Sequence, residues 1–297
     1  MILVVGSTGM LGGLITHRLL EQGRDVRILV RPTSDHAALV HAGAKPIVGD
    51  LKDPASLRAA VEGVETVITT ANSARRGGED NVQTVDLDGN AALIDAARDA
   101  GIDHFIFTSA LGSLPESPVP FVAAKGKTEQ RLRESGMTFT ILAPTPYMEV
   151  WLGMVVFGPM LEGRDVMYIG DGTQRHSMVA VGDVASFAVA AVDHPEARNA
   201  YIPIAGPTPF SWRDAVASVE RATGRKLSHR GLEPGERVPG LPDGAQGLAT
   251  LLGTSEIQVD ASESAKRYGV RPTTLDDSVD QTLAAASVGG PAGEASR

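Results

Sequence analysis

The chain has 297 residues and a formal net charge of −9, with 42% apolar and 21% charged residues. This length and composition are those of a folded protein with a large core, and the negative charge argues against nucleic acid or an anionic membrane as the main partner. The sequence contains no cysteine, which excludes disulfides, thiolate catalysis and cysteine-ligated metals.

The first half of the chain alternates short apolar runs with segments of helical periodicity. The predicted strands are Ile2–Val5, Val26–Val30, Pro46–Val48, Thr66–Thr70, Phe105–Thr108 and Thr138–Leu142. Apolar residues at i, i+4 spacing predict a helix after the first strand, closed at Gly23. Asp53 and Pro54 are typical of an N-cap and the first helical residue, and a long helix is predicted from Val85 to Ala100. The repeated strand–helix units predict an α/β fold, a doubly wound Rossmann-type parallel sheet with helices on both faces.

The pattern loosens in the second half of the chain. Asp183 is the predicted N-cap of a helix reaching Val192, a strand is predicted over Tyr201–Ile204, and Ser211 is the predicted N-cap of a helix reaching Thr223. We predict a dinucleotide-binding domain over residues 1–146 and a smaller, partly interwoven C-terminal substrate lobe over residues 147–286. Residues 287–297 contain almost no large apolar side chain and are predicted to form a disordered tail.

The first strand runs directly into Gly6, Gly9 and Gly12 and then into a helix. In this context glycines allow a tight turn, and the free N–H groups at the helix N-terminus make a pyrophosphate site. The alternative is an ordinary tight turn between strand and helix, which the flanking strand–helix–strand pattern makes less favourable.

Residues after the second and third strands bear on the choice of dinucleotide. Arg31, with hydroxyls at Thr33 and Ser34 nearby, stands where an acidic residue would bind the ribose of NAD. A cation there suits a 2′-phosphate, so NADP(H) is predicted to be preferred over NAD(H), the alternative being a solvated surface arginine. Asp50 after the third strand either accepts from the adenine amino group or caps the next helix, and both interpretations stay open.

The remaining candidates for cofactor binding lie at the glycine turn and at the ends of other predicted strands. With those named above, these positions give Gly6, Ser7, Thr8, Gly9, Met10, Leu11, Gly12, Arg31, Ser34, Asp50, Leu51, Thr70, Ala71, Asn72, Thr108, Pro144 and Thr145.

Several segments in order resemble a known family. They are VVGSTGMLGG at the start, VRILVRP in the second strand, GDL at 49–51, FTSALG at 107–112, AKGKTEQRLRESGMTFTILAPTPYMEVW from 124, GDG at 170–172, VGDVA at 181–185 and IAGPTPFSWRD at 204–214. In order and spacing these segments resemble the motifs of the short-chain dehydrogenase/reductase superfamily. They resemble more closely those of its atypical NmrA-like branch, which includes quinone reductases and isoflavone reductases. The resemblance extends to about Leu283 and implies nicotinamide chemistry.

The sequence departs from the superfamily at Phe121. The resemblance implies a tyrosine there, four residues before Lys125, whose hydroxyl exchanges a proton with substrate. In the NmrA-like branch loss of this tyrosine is common, and the lysine then acts more directly. Lys125 is therefore predicted to hold the nicotinamide ribose or to act as a general acid or base, Ser109 to orient substrate, and Tyr147 to donate a proton, stack on substrate or simply pack.

The segment from Met148 to Met160 is apolar and rich in methionine. It fits either a flat apolar ligand or packing, in the core or at the seam of a homodimer, and packing of one of these two kinds is favoured. Scattered histidines predict no metal site. No run is long enough for a signal peptide or a membrane span, so a cytoplasmic location is expected.

The leading hypothesis is an NADPH-dependent reductase of a quinone-like or conjugated small molecule, and the alternative is a non-catalytic NADP(H)-sensing protein.

Overall fold

The computed structural model describes residues 1–74 and 77–288, which form two compact units. The first unit comprises residues 1–145, 181–204 and 261–271. The second comprises residues 146–180, 205–260 and 272–288 of the described chain. Two segments of the C-terminal half thus return to the first unit.

The strands begin and end as follows: β1 Ile2–Val5, β2 Val26–Val30, β3 Lys45–Val48, β4 Thr66–Thr69, β5 His104–Thr108, β6 Phe139–Pro144, β7 Val166–Ile169, β8 Ala200–Ile204 and β9 His229–Leu232. The α-helices are α1 Met10–Glu21, α2 Ala37–His41, α3 Pro54–Val61, α4 Asn90–Asp99, α5 Pro120–Glu134, α6 Met148–Leu152, α7 Gly158–Leu161, α8 Val181–Asp193, α9 Trp212–Thr223, α10 Asp243–Thr254, α11 Ser262–Arg267 and α12 Leu275–Val288. Two π-helical segments, Val82–Gly89 and Gly153–Phe157, and a 3₁₀ turn, Pro195–Ala197, complete the set.

The first unit is built on a seven-stranded sheet in the order β3-β2-β1-β4-β5-β6-β8, and every pairing in it is parallel. Strands β1, β4 and β5 are buried along their whole length, as expected for a parallel sheet covered by helices on both faces. The predicted Rossmann-type fold is confirmed. Because the strands are parallel, the residues that follow each strand meet at one edge of the sheet.

Local capping signals in the sequence are confirmed in the structure. The Asp53 carboxylate accepts a hydrogen bond from the Ala55 N–H at 3.0 Å at the start of α3. Ser211 forms a capping box with Asp214 at the start of α9, each side chain accepting from the other's backbone N–H. Both motifs satisfy N–H groups that the first helical turn leaves free, so they depend only on nearby residues.

Other predictions of local structure need correction. The helix expected from Val85 to Ala100 is present, but it begins at Val82, is π-helical to Gly89 and continues as α4. Asp183 is not an N-cap, because α8 begins two residues earlier and places this carboxylate in its first turn. The first two residues of the expected tail, 287 and 288, belong to α12, and residues 289–297 lie outside the described residues.

The second unit contains the two-stranded parallel sheet β7-β9, which the sequence did not predict. Its core includes most of the Met-rich segment, with Met148, Trp151, Phe157 and Met160 buried and Met154 partly buried. The Trp151 and Trp212 rings pack at 6.5 Å between centroids. The packing interpretation of this segment is confirmed.

No helix in residues 1–74 or 77–288 is long and apolar enough to cross a membrane. The same residues contain no group of three or more potential histidine, aspartate or glutamate metal ligands.

Candidate functional site

The turn between β1 and α1 needs glycine at specific positions. Gly6 has φ of +86°, a conformation that other residues rarely adopt, and the Gly9 N–H donates to its carbonyl oxygen at 3.0 Å. A Cβ atom on Gly12 would lie 2.2 Å from the same oxygen. Side chains are therefore excluded at Gly6 and Gly12, and the N-terminal N–H groups of α1 are left without helical partners, as a pyrophosphate requires.

A cleft opens beside this turn, beyond the carboxyl ends of the first strands. Its lining contains seven of the predicted cofactor-binding residues, namely Gly6, Thr8, Arg31, Ser34, Asp50, Leu51 and Ala71. Of the other predicted residues in the turn, Met10 is exposed and Leu11 packs in the core. Ser7 is fully buried, and its Oγ has no hydrogen-bond partner among the described residues. A glycine cradle, a buried hydroxyl without a partner and a cation at the cleft fit a phosphorylated dinucleotide.

The remaining predicted cofactor residues lie at the carboxyl ends of β4, β5 and β6. Thr70 Oγ1 donates to the Val5 and Gly6 carbonyl oxygens at 3.4 Å each, which ties the end of β4 to the glycine turn. The Asn72 amide closes a local turn by donating to the Thr70 carbonyl oxygen. Thr108 ends β5, Pro144 ends β6, and Thr145 follows it.

Arg31 contacts a residue that the sequence analysis missed. Its Nη1 donates to the Asp80 carboxylate at 2.8 Å, and Lys52 Nζ donates to the other oxygen of the same carboxylate at 2.5 Å. Arg31 is therefore not simply solvated, and Lys52 is a second cation beside it. Neither partner carries a sequence signal, because both come from loops that only the fold brings to β2.

Asp50 forms a local turn in the loop after β3. Its carboxylate accepts from the Lys52 N–H at 2.9 Å, and its own N–H donates to Ser56 Oγ at 3.1 Å. The cap of α3 is Asp53, so the helix-cap alternative for Asp50 is wrong. Its contact with adenine stays a prediction.

Lys125 is buried inside the first unit, with only 3% of its surface exposed. Its Nζ donates to the Thr108 carbonyl oxygen at 2.9 Å, which places the ammonium at the end of β5. The Nζ atom lies 4.8 Å from the centroid of the Phe107 ring and 5.5 Å from that of Phe121. The residue that replaces the expected tyrosine thus presents its ring to the lysine in a cation–π contact.

Burial and nearby charges act on the pKa of the Lys125 ammonium in opposite directions. Burial lowers the pKa of the Lys125 ammonium, and the nearby carboxylates of Asp86 and Glu129 oppose this shift. Both acids are buried, and both were missed by the sequence analysis. One Asp86 oxygen accepts from the Ser73 N–H and hydroxyl, at 3.0 and 2.6 Å, while the other has no hydrogen-bond partner among the described residues.

Ser109 and Tyr147 have surroundings that their predicted roles did not anticipate. Ser109 Oγ donates to Glu129 at 2.5 Å, and the other Glu129 oxygen binds Arg133 at 2.9 Å. The orienting role of Ser109 thus requires this hydroxyl to change partner, and it stays a prediction. Tyr147 belongs to the second unit, where it precedes α6, and burial raises the pKa of its phenol. Its catalytic role also stays a prediction.

Comparison with known proteins identifies the class to which this fold and cleft belong. The model of an NAD(P)H-binding family matches residues 6–195, and the chain belongs to this family. The resemblance drawn from the sequence motifs is thereby confirmed. The match begins at the glycine turn and includes Arg31, Lys52, Asp80 and Lys125.

Relatives with different named roles share this domain. The photosystem II assembly factor Ycf39 of Cyanophora paradoxa is 36% identical over 224 residues, which are 75% of this chain and 69% of that protein. The NAD(P)H azoreductase of Xenophilus azovorans is 31% identical over 229 residues, which are 77% of this chain and 76% of that protein. The structure of an NADPH-dependent quinone oxidoreductase of Escherichia coli with NADPH has a TM-score of 0.80 at 24% identity, covering 95% of this chain and 100% of that one. This last similarity establishes the fold.

The geometry of the glycine turn leads to a stability prediction. Gly12→Ala should destabilise the protein by about 1–3 kcal/mol, because its Cβ overlaps the Gly6 carbonyl and forces the backbone to move. Gly247→Ala is the matched control, since this α10 glycine has open space around it and the change should stabilise by up to about 1 kcal/mol. Urea unfolding measures both values, and equal effects would contradict the crowding argument.

The buried lysine leads to a pH prediction. The folded pKa of Lys125 lies below its unfolded value of about 10.4, so the unfolded chain binds more protons between those two pKa values. The free energy of unfolding of the wild type, minus that of Lys125→Met, should therefore rise with pH across this window. Lys127→Met, which removes an exposed lysine from the same helix, is the matched control. Urea unfolding over a series of pH values measures both, and a flat Lys125→Met difference would contradict the prediction.

Proposed function

We propose that this protein is an NADPH-dependent reductase that transfers a hydride to a quinone-like or other conjugated small molecule. The observation that carries the proposal is the buried Lys125, held by the Thr108 carbonyl at the same edge of the sheet as the glycine turn. Membership of the NAD(P)H-binding family supports the cofactor class. The azoreductase relative supports reduction as the chemistry.

Each part of the proposed site has a separate task. NADPH, when bound, supplies the hydride. The glycine turn and the N-terminus of α1 would hold the pyrophosphate, and Arg31 with Lys52 would hold the 2′-phosphate. Lys125 would hold the nicotinamide ribose, and burial, which lowers the pKa of its ammonium, would make it a better proton donor.

The proposed acceptor follows from Phe121. Its ring carries no hydroxyl, so this position cannot donate a proton to a reduced substrate as tyrosine would. A quinone tolerates this loss, because water can protonate the reduced product after the hydride has arrived. Acceptors that need a proton at the moment of hydride transfer, such as simple ketones, are correspondingly disfavoured.

A second function is favoured by two observations. Phe121 lacks the proton-transferring group, and one relative is named as an assembly factor. These support a non-catalytic protein that binds NADP(H) and reports its redox state to a protein partner. Such a sensor should distinguish NADP⁺ from NADPH by affinity, whereas a reductase need not.

The remaining predictions concern location and partners. A cytoplasmic location, a small-molecule substrate and the absence of nucleic acid and membrane partners stay predictions from the sequence, as does a homodimer.

Turnover with a panel of acceptors tests the reductase directly. Purified protein should oxidise NADPH in the presence of quinones or azo and triarylmethane dyes, followed by the loss of nicotinamide absorbance. Lys125→Met should lower kcat by roughly 100-fold, as expected when the nicotinamide ribose is no longer held in position for hydride transfer. Lys127→Met should retain wild-type turnover, because this lysine is exposed. Tight NADPH binding with no turnover on any acceptor would reject the reductase and favour the sensor.

Cofactor choice is tested at Arg31. Arg31→Met should reduce the NADPH-to-NADH ratio of affinities by roughly tenfold or more, because a charge-assisted contact to the 2′-phosphate is lost. Arg58→Met removes an exposed arginine of α3 that does not line the cleft, so it should leave the ratio unchanged. Equal ratios in the wild type and Arg31→Met would remove Arg31 from the site.

A further inference from the structure

Asp80 lies between two cations, Arg31 of the cleft lining and Lys52. One carboxylate oxygen accepts from Arg31 at 2.8 Å, and the other accepts from Lys52 at 2.5 Å. The three residues come from three different loops, after β2, after β3 and before the π-helical segment Val82–Gly89. This contact is therefore a product of the tertiary fold rather than of a local turn.

The Asp80 contact is better shielded than an ordinary surface ion pair. Only 10% of the Asp80 side chain is exposed, against 35% for Arg31 and 32% for Lys52. Shielding from water and salt strengthens charge-assisted hydrogen bonds. The hydrogen bond to Asp80 also raises the pKa of Lys52, with further contributions from Asp50 and Glu79, so Lys52 stays charged.

The arrangement resembles the contacts that a phosphate would make. A carboxylate bridging an arginine and a lysine uses the donors that a phosphate monoester uses, with one negative charge in place of two. Arg31 also lines the cleft, together with Ser34 and Gly6. A 2′-phosphate at this position would face two cations whose charge the Asp80 carboxylate already neutralises. The same carboxylate would also repel the phosphate.

We propose that Asp80 determines cofactor specificity as an internal competitor of the 2′-phosphate, occupying Arg31 and Lys52 until a phosphorylated ribose displaces it. This inference rests on the proposed binding of NADPH. The consequence is a weaker preference for NADPH over NADH than two free cations would give. Asp80 thus acts through the two cations rather than on the reacting atoms.

Binding of two adenine nucleotides tests the competition without any turnover. Isothermal titration calorimetry compares adenosine 2′,5′-bisphosphate with adenosine 5′-monophosphate on the wild type, Asp80→Asn and Glu79→Gln. Asp80→Asn keeps the shape but removes the charge, so it should tighten the bisphosphate by about tenfold and leave the monophosphate nearly unchanged. Glu79→Gln removes an exposed charge from the same loop and should change the affinity ratio far less.

A second set of variants protects the test against a folding defect. Asp80→Ser should reproduce the tighter binding, and thermal unfolding checks that each variant is folded. Lys52→Met should weaken the bisphosphate, and adding it to Asp80→Asn should remove most of the gain, because one of the two released cations is missing.

The outcomes separate this inference from the proposed function. If the wild type binds NADPH but the bisphosphate binds no tighter to Asp80→Asn or Asp80→Ser, the competition is overturned and the reductase is unaffected. The same holds if Glu79→Gln has an equal effect, since general charge repulsion then explains the gain. If the wild type binds neither nucleotide nor NADPH, the proposed function fails together with the inference.

Discussion

At the carboxyl end of β1 the backbone of α1 passes so close to Gly6 that a Cβ on Gly12 would lie 2.2 Å from its carbonyl oxygen. This close approach fixes the N-terminus of α1 against the edge of the parallel sheet. The loops after β2, β3 and β4 meet at the same edge and supply the cleft with Arg31, Asp50 and Ala71. The cleft therefore follows from the backbone packing at the turn and from the parallel strand order.

A buried cation in an aromatic environment is the second feature of the first unit. Burying an ammonium is costly, and here one carbonyl hydrogen bond, two ring faces and two buried acids nearby offset that cost. Phe121 contributes a ring face at the position where the sequence resemblance implies a tyrosine. Its ring contacts the lysine but offers no hydroxyl to donate a proton, so the site is compatible with either a reductase or a sensor.

Much of the fold and part of the site followed from local patterns. Strands β1, β2, β4, β5 and β6 are largely buried apolar runs, whereas the edge strand β3 is mostly exposed. Asp53 and Ser211 cap their helices through neighbours three residues away or fewer. The glycine turn and Arg31 were found because each follows a strand whose end is recognisable. The strand β9 was missed because its sequence, HRGL, is mostly exposed and has no apolar alternation. The π-helical segment before α4 was missed because its apolar spacing resembles that of an ordinary helix.

The sequence by itself determined the parallel sheet, the dinucleotide turn and the absence of a phenol at Phe121, since each depends on residues that are close along the chain. Only the tertiary structure decided which charges meet. Asp80 reaches Arg31 across 49 positions, and Ser109 reaches Glu129 across 20. Charged side chains in loops have no periodicity that predicts their partners, and the energy of such a pair depends on burial that only the folded chain provides. The fold therefore decides that Arg31 and Lys52 are paired with the Asp80 carboxylate, although the sequence shows all three residues.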